Sequence, residues 1–430
     1  MELNVKGLDI NGYGIGYLKK KIVFVKGALP DELVDVEIVK EHKNYIDANL
    51  NRIIKRSPLR VRPKCDIYHK CGGCSIMHLK YEEQLKYKRD KVSEALRKYA
   101  NINPFVSETI GMDNPYNYRN KVQFVVKRVK GKAVMGLYEE GSHFVVDLDD
   151  CLVQDKGINI LIKKIKAILN KSNIDISQRG LKNIAIRTNS ENEMQVVLVI
   201  NRKMNISQIV EEISNIDNVT GVFENINSNS SGPILSNTTN KLYGKARMIK
   251  KLGDQSYFLR PQDFFQLNDI QTKKLYDIIK SLVGDSKRIV DCYAGVGSIG
   301  QYIYNGQQLR GIEIIGSAVE SAKDNCRVNK IDAEYVKGNV GNVLKRWTKD
   351  GYRPDLMIFD PPRTGLDAES IKTIQIVKPN RIIYVSCNPS TLAKDLNHLL
   401  KLYKVELVQP VDMFPNTAHV ETVVRLDRKR

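Results

Sequence analysis

Cys387 stands at the end of an apolar segment, where a thiol could act as a nucleophile. Residues 381–385 have the unbroken apolar character of a buried parallel strand. A loop follows, and then a predicted helix that Ser390 or Thr391 can cap. Ligands of open α/β sheets bind beyond the carboxyl ends of the strands, so we expect the thiol to face such a site. A thiolate there could add to a polarised carbon–carbon double bond, although one isolated cysteine is more often buried and inert.

Polar groups also follow four successive apolar segments nearer the middle of the chain. The first segment ends in Asp291 and enters a Gly-rich turn, and the next ends in Glu313, where a carboxylate can bind a ribose diol. The third leads to Asn339 and the fourth to Asp360, within Asp-Pro-Pro-Arg. No Gly-Lys-Ser/Thr phosphate loop is present, so a nucleoside triphosphate is not expected. The pattern resembles the class I S-adenosylmethionine-dependent methyltransferases, which implies a Rossmann-like α/β domain.

Three segments give a closer resemblance to the RNA uracil-C5 methyltransferase family. Within that family, the chain most resembles the 23S rRNA (uracil-5-)-methyltransferases. They are Ser-Cys-Asn-Pro-x-Thr-Leu at 386–392, Asp-Pro-Pro-Arg at 360–363 and Phe-Pro-x-Thr-x-His-x-Glu at 414–421. The resemblance runs over nearly the whole chain.

Two other methyltransferase classes fit the sequence less well. Amino-methyltransferases carry an aromatic residue where this chain has Arg363, and RNA cytosine-C5 enzymes need a cysteine in the turn after the fourth strand.

The resemblance implies a mechanism and a set of site residues. Cys387 attacks C6 of uracil, C5 takes the methyl group of S-adenosylmethionine, and Glu421 removes the C5 proton before the cysteine leaves. His419 could orient Glu421, although a packed structural histidine is the commoner case. Ser298 stands where at least one relative has asparagine, and Asp360 is expected to bind the base or align the donor. The donor-binding positions of the family fall on Gln266, Tyr293, Ser298, Glu313, Asn339 and Asp360.

Four other cysteines form a metal-ligand pattern. Cys65-x₅-Cys71-x₂-Cys74 has the spacing of a metal site, and Cys151 is the best candidate for the fourth ligand. No signal-peptide pattern opens the sequence and no apolar run reaches the length of a membrane span, so we expect a reducing, cytoplasmic setting without disulfides. Four thiolates can hold zinc or an iron–sulfur cluster. The resemblance implies a [4Fe–4S] cluster with a structural or RNA-positioning role.

The charge balance predicts a polyanionic partner. The chain has 68 Lys and Arg against 49 Asp and Glu, a formal net charge of +19. Such an excess steers a protein towards nucleic acid, and the binding should weaken steeply with salt. We expect RNA, most simply 23S rRNA, with no role for DNA or membrane. A monomer is compatible with this composition, but the oligomeric state cannot be derived from it.

Three domains are predicted. Short alternating strands within residues 1–57 suggest a small barrel that resembles the OB-like TRAM domain, in which Gly12, Gly14 and Gly16 are expected to form turns. Residues 58–80 and 115–255 form a mixed α+β central iron–sulfur domain, with a helix over 158–169 and loops over 225–240. Residues 81–114 and 256–430 form the catalytic domain.

Two aromatic residues, Phe264 and Phe265, precede a predicted helix and are expected to be core residues or a hydrophobic staple. By resemblance, their segment covers the donor and an extruded base, against which a phenylalanine could stack.

Three functions remain open. The first is 23S rRNA uracil-C5 methylation. The second is the same chemistry on the T-loop of tRNA; the barrel and the cysteines favour rRNA, because the simpler tRNA enzymes of the family lack both. The third is an RNA-binding iron–sulfur protein that remodels rRNA without methylating it.

Overall fold

In the computed structural model, which describes residues 1–229 and 231–429, the strands form three large sheets and one hairpin. Ser230 and Arg430, which belong to the expected loop and to the catalytic domain, lie outside the described residues. Among the described residues, no helix is long and apolar enough to span a membrane.

The amino-terminal sheet curls on itself as the barrel prediction requires. Its strand order is β1-β5-β6-β4-β3-β2, and Lys6 N donates to Ile15 O at 2.7 Å, which brings the first strand beside the third. The prediction of three turn-forming glycines was wrong for two of them. Gly12 has a φ of +86° and lies in a turn, but Gly14 and Gly16 lie within a strand. A Cβ on Gly16 would come within 2.7 Å of Leu3, so this glycine lets the sheet close. The strands are β1 Glu2–Asn4, β2 Gly7–Leu8, β3 Gly14–Leu18, β4 Lys21–Val25, β5 Leu33–Glu41 and β6 Tyr45–Lys55.

The central sheet has seven strands in the order β13-β12-β11-β10-β7-β8-β9. The apolar faces of helices α2 and α3 pack against it. The helix expected over 158–169 is confirmed and is longer by a few residues. The loop expected over 225–240 is shorter than predicted, because its first residues belong to β12 and its last residues to β13. The elements are β7 Lys121–Val129, β8 Lys132–Tyr138, β9 Val145–Asp147, α2 Lys156–Lys171, β10 Leu181–Thr188, β11 Met194–Ile200, α3 Ser207–Ser214, β12 Val219–Ile226 and β13 Thr239–Gly244. A separate hairpin of β14 Met248–Leu252 and β15 Gln255–Leu259 follows.

The carboxyl-terminal sheet has the order β18-β17-β16-β19-β20-β22-β21. Its first five strands are parallel and β22 is antiparallel to both of its neighbours. Strands that alternate with helices give this doubly wound arrangement, in which the chain reverses direction across the sheet between β16 and β19. The elements are α4 Asp269–Leu282, β16 Arg288–Cys292, α5 Ser298–Ile303, β17 Gln308–Glu313, α6 Gly316–Asn329, β18 Ala333–Lys337, α7 Val340–Lys349, β19 Leu356–Phe359, α8 Ala368–Val377, β20 Arg381–Ser386, α9 Pro389–Leu399, β21 Tyr403–Val411 and β22 Glu421–Arg428.

Helix α1 (Tyr81–Ala95) precedes the central sheet in the chain but packs against the carboxyl-terminal one. It continues into one wider π-type turn at Leu96–Ala100. Val92 and Leu96 are buried in the same apolar core as Leu396 of α9. A segment from the front of the chain therefore helps to build the carboxyl-terminal core, and the exact domain boundaries stay a prediction.

Candidate active site

Cys387, directly after β20, and Glu421, at the start of β22, lie side by side in the carboxyl-terminal sheet. They are at the edge formed by the carboxyl ends of its parallel strands. In the antiparallel pair of β20 and β22, Ser386 stands opposite Thr422. One residue further, Cys387 leaves β20 beside Glu421, the first residue of β22. Cys387 is half-buried, whereas Glu421 is only 5% exposed. A thiol and a carboxyl group therefore meet where parallel sheets bind ligands.

The turn after Cys387 is built differently from the prediction. Asn388, and neither Ser390 nor Thr391, caps α9: its side chain accepts a hydrogen bond from Ser390 N at 3.1 Å. Pro389 takes the first helical position, where its missing N–H costs nothing. The freed Thr391 hydroxyl donates to Arg363 O at 3.2 Å, as does the Asn388 amide. The Asp-Pro-Pro-Arg turn is thereby tied to the cysteine loop.

Burial and like charges raise the pKa values of this group. Burial, followed by the charge of Glu421, raises the pKa of the Cys387 thiol to about 11. Burial, followed by the charge of Asp360, raises the pKa of Glu421 well above its usual range. The Arg363 guanidinium opposes both shifts. Arg363 was not among the expected site residues, although its place in the Asp-Pro-Pro-Arg turn was a usable signal.

The Gly-rich turn after β16 adopts an unusual backbone. Tyr293, Gly295 and Gly297 all have left-handed φ values, of +62°, +55° and +78°. A left-handed φ is unfavourable for a tyrosine, and residues in such strained backbone conformations are often found at functional sites. A Cβ added to Gly295 would meet nothing within 4 Å, so open space lies in front of this turn. The Glu313 carboxylate accepts hydrogen bonds from Gly295 N at 2.9 Å and Ile315 N at 2.8 Å, which fixes it beside that space.

Asp291 is a further carboxyl group at this edge. It is buried and accepts a hydrogen bond from Gly300 N at 2.9 Å. Burial raises its pKa to about 7, and the charges of Asp360 and Glu313 add to the shift. Burial alone raises the pKa of Asp360 to about 7. Asp291 was noted in the sequence as the acidic end of a strand but was not included among the expected site residues.

The remaining expected donor positions are more scattered. Asn339 caps α7 and donates to Asp367 at 3.2 Å, beyond the end of β18. The Ser298 hydroxyl is hydrogen-bonded to the Tyr276 hydroxyl at 2.8 Å. Gln266 is buried in the segment before α4, outside the sheet. Tyr293, Glu313, Asn339 and Asp360 thus follow four adjacent strands, whereas Gln266 and Ser298 reach the site from other elements. Their binding roles stay a prediction.

Two other expectations about side chains need correction. Phe265 is a core residue, as expected, at 4% exposure, but Phe264 is 65% exposed. His419 is exposed rather than packed as a structural histidine. Its ring lies edge-on to Phe414. Within the described part of the chain, the His419 side chain makes no hydrogen bond to Glu421.

The four cysteines of the metal-ligand pattern come together. Cys65, Cys71, Cys74 and Cys151 line one cavity of about 480 Å³. Burial, followed by the neighbouring thiols, raises the pKa of Cys74. In residues 1–229 and 231–429, however, no three His, Cys, Asp or Glu side chains converge closely enough to hold a single metal ion. The two findings are compatible, because side chains can line one cavity without pointing at one centre.

Comparison with known proteins shows where this arrangement belongs. Residues 80–429 match the tRNA (uracil-5-)-methyltransferase family and residues 1–50 match the TRAM domain. An uncharacterised RNA methyltransferase of Bacillus cereus is 42% identical, over 99% of this chain and 96% of its own. One of Streptococcus pneumoniae is 38% identical, over 99% and 98%.

A solved structure agrees with these matches. The tRNA (uracil-54, C5)-methyltransferase of Pyrococcus abyssi, in complex with S-adenosyl-L-homocysteine, has a TM-score of 0.81 and 27% identity, over 99% of both chains. The predicted methyltransferase fold and amino-terminal TRAM domain are confirmed, and the chain belongs to the RNA uracil-5-methyltransferase family.

Proposed function

We propose that the protein methylates C5 of a uracil in 23S rRNA, with Cys387 as nucleophile, Glu421 as general base and S-adenosylmethionine as methyl donor. The pairing of β20 with β22 carries this proposal, because it sets the Cys387 thiol beside the Glu421 carboxyl group. Nucleophilic addition and proton removal on two adjacent carbons of one ring require such a pair.

The proposed steps use the chain's own residues as follows. The Cys387 thiolate forms a bond to C6, and the electron pair of the C5=C6 bond moves towards O4 to give an enolate. C5 of the enolate then attacks the methyl carbon of S-adenosylmethionine, the bond between that carbon and the sulfonium sulfur breaks, and neutral S-adenosylhomocysteine is left. Glu421 removes the proton from C5, the double bond re-forms, and the C6–S bond breaks to release the thiolate. The thiol proton must leave the site before these steps, so that Glu421 is a carboxylate when the C5 proton is removed.

The edge of the sheet fits S-adenosylmethionine. When bound, the donor supplies an electrophilic methyl group on a positively charged sulfonium. The open space in front of Gly295 would accept it, with Glu313 facing its ribose and Asn339 its adenine. The carboxyl groups of Asp291 and Asp360 favour a cation at this edge. Tyr293, Ser298 and Gln266 complete the proposed set.

We also propose that the four cysteines hold a [4Fe–4S] cluster. All four thiols line one cavity of about 480 Å³, and four cysteine thiolates are the ligand set of such a cluster. A cluster presents each thiolate with a different iron atom, so its ligands spread around a larger body. Anaerobic purification followed by iron and sulfide analysis tests this proposal; a colourless, iron-free protein would contradict it.

The identity of the RNA substrate is the most specific part of the proposal. The Pyrococcus neighbour, a tRNA (uracil-54, C5)-methyltransferase, matches 99% of this chain, so the presence of an amino-terminal barrel does not separate the two substrates. Methylation of the tRNA T-loop is therefore the second candidate. The test is transfer of labelled methyl from S-adenosylmethionine to unmodified 23S rRNA and unmodified tRNA, with identification of the nucleoside. 5-Methyluridine in 23S rRNA supports the proposal, and 5-methyluridine in tRNA alone moves the substrate. No transfer to either RNA would favour an RNA-binding role.

A further inference from the structure

The segment that leads to Glu421 is held by elements outside its own sheet. Residues 412–420 connect β21 to β22, and we name them the Glu421 loop. Lys88 of α1 donates to the Asp412 carboxylate and, at 3.1 Å, to Phe414 O. The Lys88 and Asp412 side chains have no exposed surface. Helix α1 therefore fixes the start of the loop.

Lys91, one turn further along α1, contacts the end of the loop. Its ammonium donates to Ala418 O at 2.7 Å and to Ile10 O at 2.6 Å. Ile10 lies in the barrel turn between β2 and β3. The neighbouring Tyr87 hydroxyl donates to Asp9 O of the same turn at 2.7 Å. One lysine thus connects the barrel to a residue three positions before Glu421.

The cysteine segment contacts the loop from a second side. Ser75, which follows Cys74, accepts a hydrogen bond from Ala418 N at 2.9 Å. The Ser75 and Ile76 amides both donate to Asn416 O at 3.1 Å. A Cβ on Gly12 of the barrel turn would come within 2.5 Å of Ile76 and 3.6 Å of Ala418. Three separate parts of the chain therefore meet at Ala418, and both of its backbone polar groups are hydrogen-bonded to side chains from outside the catalytic sheet.

We propose that Lys91 and Ser75 are positioning residues that hold Glu421 where it can remove the C5 proton, so that its alignment depends on the docked barrel and the cysteine segment. This inference rests on the proposed function. It follows from geometry, because proton removal needs hydrogen-bond reach between carboxylate and C5, and small displacements of an aligned group cost large factors in rate. Addition of Cys387 to C6 does not use Glu421, so its rate should not depend on Lys91 or Ser75.

The experiment separates the two stages of the reaction. Full-length wild-type protein, Lys91→Met and Ser75→Ala are mixed with substrate RNA and S-adenosylmethionine, and the protein–RNA adduct that survives denaturation is followed with time. We expect both variants to form the adduct at nearly the wild-type rate and to resolve it more slowly, by on the order of tenfold or more. Turnover number should fall and KM for RNA should not rise, because adduct formation is unchanged. Lys86→Met is the matched control, because Lys86 lies on the same helix, is exposed, and in the described part of the chain forms an ion pair with Glu83 alone.

The outcomes distinguish failure of the inference from failure of the proposed function. If wild-type protein forms neither adduct nor product, the proposed function itself fails. If wild-type protein turns over but both variants resolve the adduct at its rate, Lys91 and Ser75 do not position Glu421. If Lys91→Met raises only KM for RNA, and Lys86→Met raises it equally, Lys91 contributes to RNA binding and does not position Glu421. Adduct formation also reports folding, since a misfolded variant cannot form it.

Discussion

Cys387 and Glu421 stand side by side because β22 inserts antiparallel between β20 and β21. A sheet of parallel strands alone would place only strand ends at this edge. The reversed strand supplies a strand beginning, and its first residue is the carboxyl group that the thiol needs as a partner. In the proposed mechanism, this insertion places the nucleophile and the general base beside the same uracil ring.

Replacement of these two residues should stop the reaction at different stages. Cys387→Ala removes the nucleophile and should abolish methyl transfer while leaving binding of S-adenosylmethionine unchanged. Glu421→Gln keeps the nucleophile but cannot accept the C5 proton, so a methylated covalent RNA adduct should accumulate. Denaturing gels with labelled RNA and donor titrations measure both. Cys326→Ser changes a buried cysteine of α6 and is the control, which should keep methyl transfer and adduct turnover. Full activity of Cys387→Ala would refute the mechanism.

Arg363 should make the thiol easier to ionise. Its charge opposes the rise of the Cys387 pKa to about 11, so Arg363→Gln should raise that pKa further. At any pH below it, a smaller fraction of thiolate should slow alkylation of Cys387 and lower kcat/KM. The alkylation rate at Cys387, followed by peptide mass spectrometry from pH 7 to 10, measures this. Arg363→Lys keeps the charge and should retain most of the wild-type rate; equal rates in Arg363→Gln and wild type would contradict the prediction.

Donor affinity should rise with pH near neutrality. Asp291 and Asp360 have pKa values of about 7, raised chiefly by burial. A sulfonium cation favours their ionised forms, so it should bind more tightly as pH rises from 6 to 8, and binding near pH 7 should release protons. Calorimetry in buffers of different ionisation enthalpy measures both effects. S-Adenosylhomocysteine lacks the sulfonium charge and should show a weaker dependence, as should Asp360→Asn. An affinity that falls over this range would contradict the assignment.

Local patterns were enough to predict much of this site, and long-range contacts account for what was missed. Cys387, Glu313 and Asp360 follow apolar strands, so their common edge could be predicted from strand order in the chain. The antiparallel place of β22 cannot be derived from periodicity, which is the same for either direction. Gly16 was misassigned for a similar reason, since its need for a small side chain comes from Leu3, a residue on another strand.

Loss of the buried lysine beneath the Glu421 loop should destabilise the protein strongly. Lys88→Met leaves Asp412 without its cationic partner in a site that has no exposed surface, and breaking such a pair typically costs about 3–5 kcal/mol. The Tyr81 hydroxyl, which donates to Asp412 at 2.8 Å, offsets only part of this loss. Denaturant unfolding of the variant should therefore show a lower midpoint, whereas the exposed Lys86→Met should change the free energy of unfolding by no more than about 0.5 kcal/mol. If Lys88→Met matched wild type in stability, the ion pair would not anchor α1 to the loop. Restoration of stability by the double variant Lys88→Met, Asp412→Asn would identify the unpaired carboxylate as the cause.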